Sequence, residues 1–205
     1  MASPQGLSLE FSDHRAVPDT LAGIGEELLK IGAGVWPLPL TDQPDDVRAL
    51  LAKPMLTATE AERIKSRFRL PRERLLQIVS QAGRTPEVPG GGALTTFVAN
   101  QGYSYPQLYQ VRKGVDYSRF DRFHVNVGPR GSGVDEVFQM LWGGGFVIHQ
   151  KLDDGEILTL TLDCPDESQG WLGTYSGFAR ISAVSARPPR GRSYSSKCSA
   201  PRSGR

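Results

Sequence analysis

His124, Asn126, Asp135, Glu136 and His149 fall in one central stretch of the chain and are its densest set of groups able to do chemistry. Two imidazoles and a carboxylate, His124, Glu136 and His149, form the ligand set with open positions that non-haem iron enzymes use. Neutral imidazole and carboxylate donors also suit zinc, manganese and nickel, so a divalent metal is the cofactor this stretch points to. The plainer reading is that both histidines are half-buried strand residues whose rings are hydrogen-bonded. A second set is aromatic and acidic: Tyr103, Tyr105, Tyr109, Asp116, Tyr117 and Asp121. Tyrosines on neighbouring strands supply apolar walls with a polar tip, and Tyr105 and Tyr109 are the expected pocket-shaping, catalytic pair. They serve equally well as core with satisfied hydroxyls. Cys164 has no histidine near it in sequence and reads as a small hydrophobe rather than a nucleophile. No phosphate-binding loop, dinucleotide fingerprint, zinc-type Cys/His cluster or nucleophile elbow occurs.

Positioning these groups falls to strands. Phe123, Val125 and Val127 alternate with Arg122, His124 and Asn126, which assigns the two sets to opposite faces. Gly128-Pro129-Arg130-Gly131-Ser132-Gly133 then forces a turn. Val134 to Trp142 is extended again, and Gly143-Gly144-Gly145 ends it. Phe146, Ile148 and Leu152 point one way, and Val147, His149 and Lys151 the other. Asp153-Asp154-Gly155 is a hairpin signal because an Asp-Gly pair tolerates positive φ. Leu158, Leu160, Leu162 and Cys164 then alternate with Thr159, Thr161 and Asp163. Further strands are expected at 94–99, 106–112, 171–175 and 179–184. Strands so closely spaced predict an antiparallel sheet closing into a barrel or sandwich.

His124-Val125-Asn126, the following Glu136 and the Gly143 beyond it resemble the first sequence block of the cupins. Asp153-Asp154-Gly155 is similar to the turn of their second block. The resemblance covers less than a quarter of the chain. Asn126 stands where that family has its second histidine, the gap to Glu136 is longer, and Leu158 occupies the second block's histidine position. The resemblance implies a small β-barrel with a divalent metal held by His124, Glu136 and His149.

Upstream, residues 1–16 show little pattern. Asp19 is placed to cap a helix with Leu21, Ile24, Leu28 and Ile31 on one face, stopped by Gly32. Val35 to Leu40, with two prolines, is extended. Pro44 opens a short helix over 45–52, with Asp45 and Asp46 in its first turn. Thr57-Ala58-Thr59-Glu60 is a capping box for a third helix, and Pro71 to Ala82 forms a fourth, ending at Gly83. The last two resemble a helix-turn-helix, with Arg67, Arg69, Arg72 and Arg74 available to phosphates. Glu60, Glu62 and Glu73 dilute that face, and the plainer reading is a helical hairpin covering the barrel.

At 205 residues, 39% apolar and 22% charged, the chain is long enough and apolar enough for one globular domain with a small helical appendage. The net charge of +2 conceals an asymmetry. Residues 187–205 hold Arg187, Arg190, Arg192, Lys197, Arg202 and Arg205 and no acid; without those six the body is at −4. An acidic body is not the footprint of a nucleic-acid binder, so nucleic acid is not an expected partner. No apolar run approaches the roughly 20 residues of a membrane span, and no signal peptide is read at the start. With two cysteines and no disulfide framework, a cytoplasmic location is expected. The tail from Arg187, rich in Arg, Ser and Pro, offers too little apolar surface to offset ordering entropy and is expected to be disordered. Reading its codons one base earlier, with TCN serines, turns 194–199 into a mostly apolar run, which raises a frameshift as the origin of 187–205.

The expected fold is therefore α+β: a helical N-terminal region over 1–88, an antiparallel β domain over 93–186, and the tail 187–205. The expected function is small-molecule chemistry at a cupin-like, metal-dependent site, with a small-molecule ligand as partner and a homodimer compatible with it. The alternatives are a non-catalytic barrel that binds a ligand or a protein, and a helix-turn-helix regulator with a ligand-sensing barrel.

Overall fold

Capping and alternation set the elements of this chain. The computed structural model describes residues 5–53, 56–85, 120–125, 133, 135–141, 146–164, 167–176 and 179–184. These residues form β1 (Leu7–Phe11), α1 (Leu21–Leu29), β2 (Gly34–Pro39), α2 (Asp45–Leu51), α3 (Ala58–Arg67) and α4 (Arg72–Gln81). They continue with β3 (Phe120–His124), β4 (Glu136–Met140), β5 (Phe146–Lys151), β6 (Ile157–Leu162), β7 (Gln169–Tyr175) and β8 (Arg180–Val184). Thr20, one residue beyond the expected Asp19, caps α1 by accepting from the Gly23 amide at 3.1 Å. The capping box of α3 forms as read: Glu60 N donates to Thr57 Oγ1 at 3.3 Å, and Thr57 N to Glu60 Oε2 at 2.9 Å. The β5–β6 hairpin turns at Asp153 to Gly155, with Gly155 at φ +91° and the Leu152 amide donating to Glu156 O at 2.8 Å.

All pairings among the strands are antiparallel. One sheet has the order β1-β6-β5-β8-β3, and the other β2-β7-β4. Their facing sides share a core of Leu7, Leu9, Phe11, Ile148, Leu158, Leu160, Leu162 and Ile181 from the first sheet and Val35, Met140 and Trp171 from the second. Helix α1 adds Ile24 and Leu28 to this core. On the other side of the three-stranded sheet, Leu40, Leu50, Leu51, Leu56 and Ile64 form a second cluster. There α4 also packs on β4 and β7, burying Ile78 and Val79. The architecture is thus sandwich-like with a helical layer outside. Among the described residues no strand pairing joins the two sheets into a closed barrel, and no helix is long and apolar enough to cross a membrane.

Two ladders link the segment before residue 88 with the segment after residue 93. Strand β1 lies beside β6, Leu9 opposite Leu160, and β2 lies beside β7, Val35 opposite Gly173. The N-terminal region is therefore a source of strands for both sheets as well as of helices. Residues 7–11 lie within 1–16, a stretch with little pattern, yet Leu7, Leu9 and Phe11 are buried while Ser8 and Glu10 are exposed. Pro37 and Pro39 sit on a strand at the edge of its sheet, where a missing donor costs no ladder bond. The strands expected at 94–99 and 106–112, and the tail 187–205, lie outside the described residues.

Candidate functional site

Cross-strand partners share a face, so the registers decide where each candidate side chain goes. His124 lies opposite Ile181, which lies opposite Gln150, then Leu158, then Phe11. Phe11, Leu158 and Ile181 are buried, so this row faces the core and brings His124 and Gln150 with it. His149 belongs to the other face, in the row of Ser182, Thr159 and Glu10. Its Nδ1 lies 3.0 Å from Thr159 Oγ1. The two imidazoles are thus on opposite faces of one sheet. The β3–β8 register shifts between Phe120 and His124, and over 123–125 the apolar residues are the outward ones, with Phe123 42% and Val125 38% exposed and His124 half-buried.

Glu136 stands on the facing sheet, opposite Tyr175 in the β4–β7 ladder. The Tyr175 hydroxyl donates to Glu136 Oε2. Burial first, and then the charge of Glu136, push the Tyr175 phenol well above its ordinary pKa, so it remains a proton donor. Beside it, Phe138 lies across Gly173, where a Cβ would come within 2.2 Å of the ring. Its ring centroid is 5.9 Å from that of Phe146 and 6.2 Å from that of Tyr175. Gln150, Tyr175, Thr174, Phe138 and Ile148 line one cavity between the sheets, of about 10 Å³, room for one water.

A second layer of polar groups fixes this end of the sandwich. Thr174 Oγ1 donates to the main-chain oxygen of Glu136 at 2.6 Å and accepts from Arg84 Nη2 at 2.8 Å. Arg84 Nη1 donates to Gly32 O, and Nε lies 3.4 Å from Asp135 Oδ1. Burial lowers the Arg84 pKa, and Asp135 opposes that shift. One guanidinium therefore holds the end of α4, the turn after α1 and the start of β4 together. It acts as a brace for the site rather than as part of its lining.

Tyr103, Tyr105, Tyr109, Asp116 and Tyr117 lie outside the described residues. Among the described residues, no three His, Cys, Asp or Glu side chains group in a way that would hold a metal ion. Cys164 is buried, with Sγ 3.8 Å from Met140 O, as expected for a small core residue. In the helical pair, α3 packs on α2, and α4 packs on the sheet. Arg67 Nε is spent on Gln43 Oε1 at 2.7 Å, and Arg74 Nη1 reaches Gln77 Oε1 at 3.3 Å. No protein-family model matches this chain, and neither a curated protein nor a solved structure matches it.

Sequence reasoning missed Gln150, Tyr175, Thr174 and Arg84. One signal was present: Phe146, Ile148 and Gln150 share a phase, and a glutamine in the phase of two large apolar residues breaks the pattern. For Arg84, following Gly83 at a helix end, no local signal distinguishes a brace from a surface residue.

Proposed function

We propose that this chain binds a small molecule at the half-buried end of its two sheets where Gln150 and Tyr175 meet, the one-water cavity there widening to admit it, in a cupin-like sandwich. The observation that supports this reading is the inward placement of His124 and Gln150 from one sheet and Glu136 and Tyr175 from the other. Gln150 is buried and the other three are half-buried, so polar groups from both sheets converge at one partly open end of an apolar interior, as in small-molecule sites. Such a set offers a ligand an acid–base imidazole, an amide, a carboxylate and a phenol inside apolar walls.

A trade-off between stability and binding tests it. Replacing Gln150 by Leu gives the inward row a fully apolar member, and the melting temperature is expected to rise or hold. Thermal-shift responses to a panel of small acids, amines and sugars are expected to shrink in the same variant. A Gln150→Leu protein that melts several degrees lower would make Gln150 a structural residue and sink the reading. Metal analysis of the purified protein separates the enzymatic version from plain binding. Near-stoichiometric iron, zinc, manganese or nickel, released by His124→Ala, would favour the metal-dependent cupin-like enzyme. The opposite faces of His124 and His149 favour metal-independent binding.

A further inference from the structure

A second feature, on the far side of the three-stranded sheet, has its own chemistry. Helices α2 and α3 pack together, with Leu50 and Ile64 in one buried cluster, and leave an open cleft of about 570 Å³ beside that contact. Its lining is Pro44, Asp46, Val47, Arg63, Ser66 and Arg67. We propose that this cleft is a binding site for a small molecule bearing a phosphate group.

Arg63, Ser66 and Arg67 occupy one face of α3, because residues three and four apart on a helix are neighbours. The single acid of the cleft is already engaged at both oxygens. Asp46 Oδ1 accepts from the Val47 amide at 2.9 Å, and Oδ2 accepts from Arg63 Nη2. That bond holds the Arg63 guanidinium in place. Arg67 is held likewise through Nε on Gln43, and among the described residues no partner takes its two terminal amino groups. The cleft therefore presents two anchored guanidinium forks and an exposed hydroxyl, with one positive charge in excess. Planar forks with several donors match the oxygens of a phosphate. The wider layer agrees: residues 45–81 carry eight basic and five acidic side chains, whereas the chain without its tail is acidic. The volume lies within the usual range for small-molecule sites and exceeds what a bare phosphate ion fills. A small phosphorylated molecule fits this compact cleft better than a duplex, which needs an extended basic track.

Titration calorimetry on the full chain tests the proposal, using adenosine monophosphate, ribose 5-phosphate, adenosine and a short duplex DNA at matched ionic strength. At least one of the two phosphorylated probes is expected to bind and adenosine is not. Arg67→Ala is expected to weaken that binding by about tenfold or more, as losing a charged hydrogen-bond donor does, with an unchanged melting temperature. Arg63→Ala is expected to weaken it as well, whereas Arg74→Ala, outside the cleft, leaves it unchanged, a contrast that general surface charge would not produce. Equal binding by Arg67→Ala and the parent, or no binding of either phosphorylated probe, overturns the proposal. Duplex DNA bound more tightly than both, with steep loss on adding salt, also overturns it and reassigns the face to nucleic acid.

Discussion

Tyr175 and Glu136 show how one inward pair does two things at once. The phenol gives the carboxylate a donor in a place with little water, and the carboxylate in turn makes ionising the phenol harder. The consequence is a stability that depends on alkaline pH. In the unfolded chain Tyr175 loses its proton near pH 10, while in the folded chain it keeps it well beyond that. Below pH 10 the contribution is fully present. As pH rises further the unfolded state binds fewer protons than the folded one, so folding stability falls. Urea midpoints of the parent chain are expected to drop between pH 9 and about 11 more steeply than those of Tyr175→Phe. Parallel slopes would mean that the phenol is not shielded from solvent. The carboxylate of Glu136 was legible as a candidate because it lies in sequence between two strands that each carry a histidine. Its partner was not, because Tyr175 lies 39 residues away on another strand.

At the scale of elements, local chemistry was legible and non-local pairing was not. Thr57 and Glu60 announce α3 because each satisfies an amide that the first turn would leave bare, and both bonds are present. Thr57→Ala is expected to cost about 1 kcal/mol of stability, measured by urea unfolding at neutral pH. Lys53, followed by the Thr57 amide, lowers the Glu60 pKa to about 2 from 4.5. A carboxylate depressed in the folded state stabilises above its unfolded pKa. Part of the cap's contribution is therefore present above pH 4.5 and is lost as pH falls toward 2. Glu60→Gln should flatten that acid limb; an unchanged limb would assign it to other carboxylates. Strand faces were harder to read. Alternation fixes which residues travel together, as in Phe123 and Val125 against His124, but not which set faces inward. That choice is made by β8, through the pairing of His124 with Ile181.

For the whole molecule, the change of composition at Pro89 to Gly92 reads as a boundary, yet the ladders cross it twice. A composition shift records what each segment prefers locally, whereas a sheet is closed by partners far apart in sequence. Strand β1 is the sharpest case, because it pairs with β6 on the other side of nearly the whole chain. Its Leu7, Leu9 and Phe11 are 7%, 6% and 4% exposed and belong to the core between the sheets. Burying each such side chain contributes roughly 1.5–3 kcal/mol. Three together are comparable with the whole stability of a typical domain, about 5–15 kcal/mol. Removing β1 also leaves β6 as an unpaired edge, which invites association with other chains. A chain beginning at Ser12 is therefore expected to melt without a cooperative transition and to aggregate on warming. The segment 93–186 expressed alone, which lacks β2 as well, should behave worse. Circular dichroism and light scattering during a thermal ramp would decide the matter. A sharp melt of the shortened chain within a few degrees of the parent would show that the N-terminal strands decorate a β domain that folds without them.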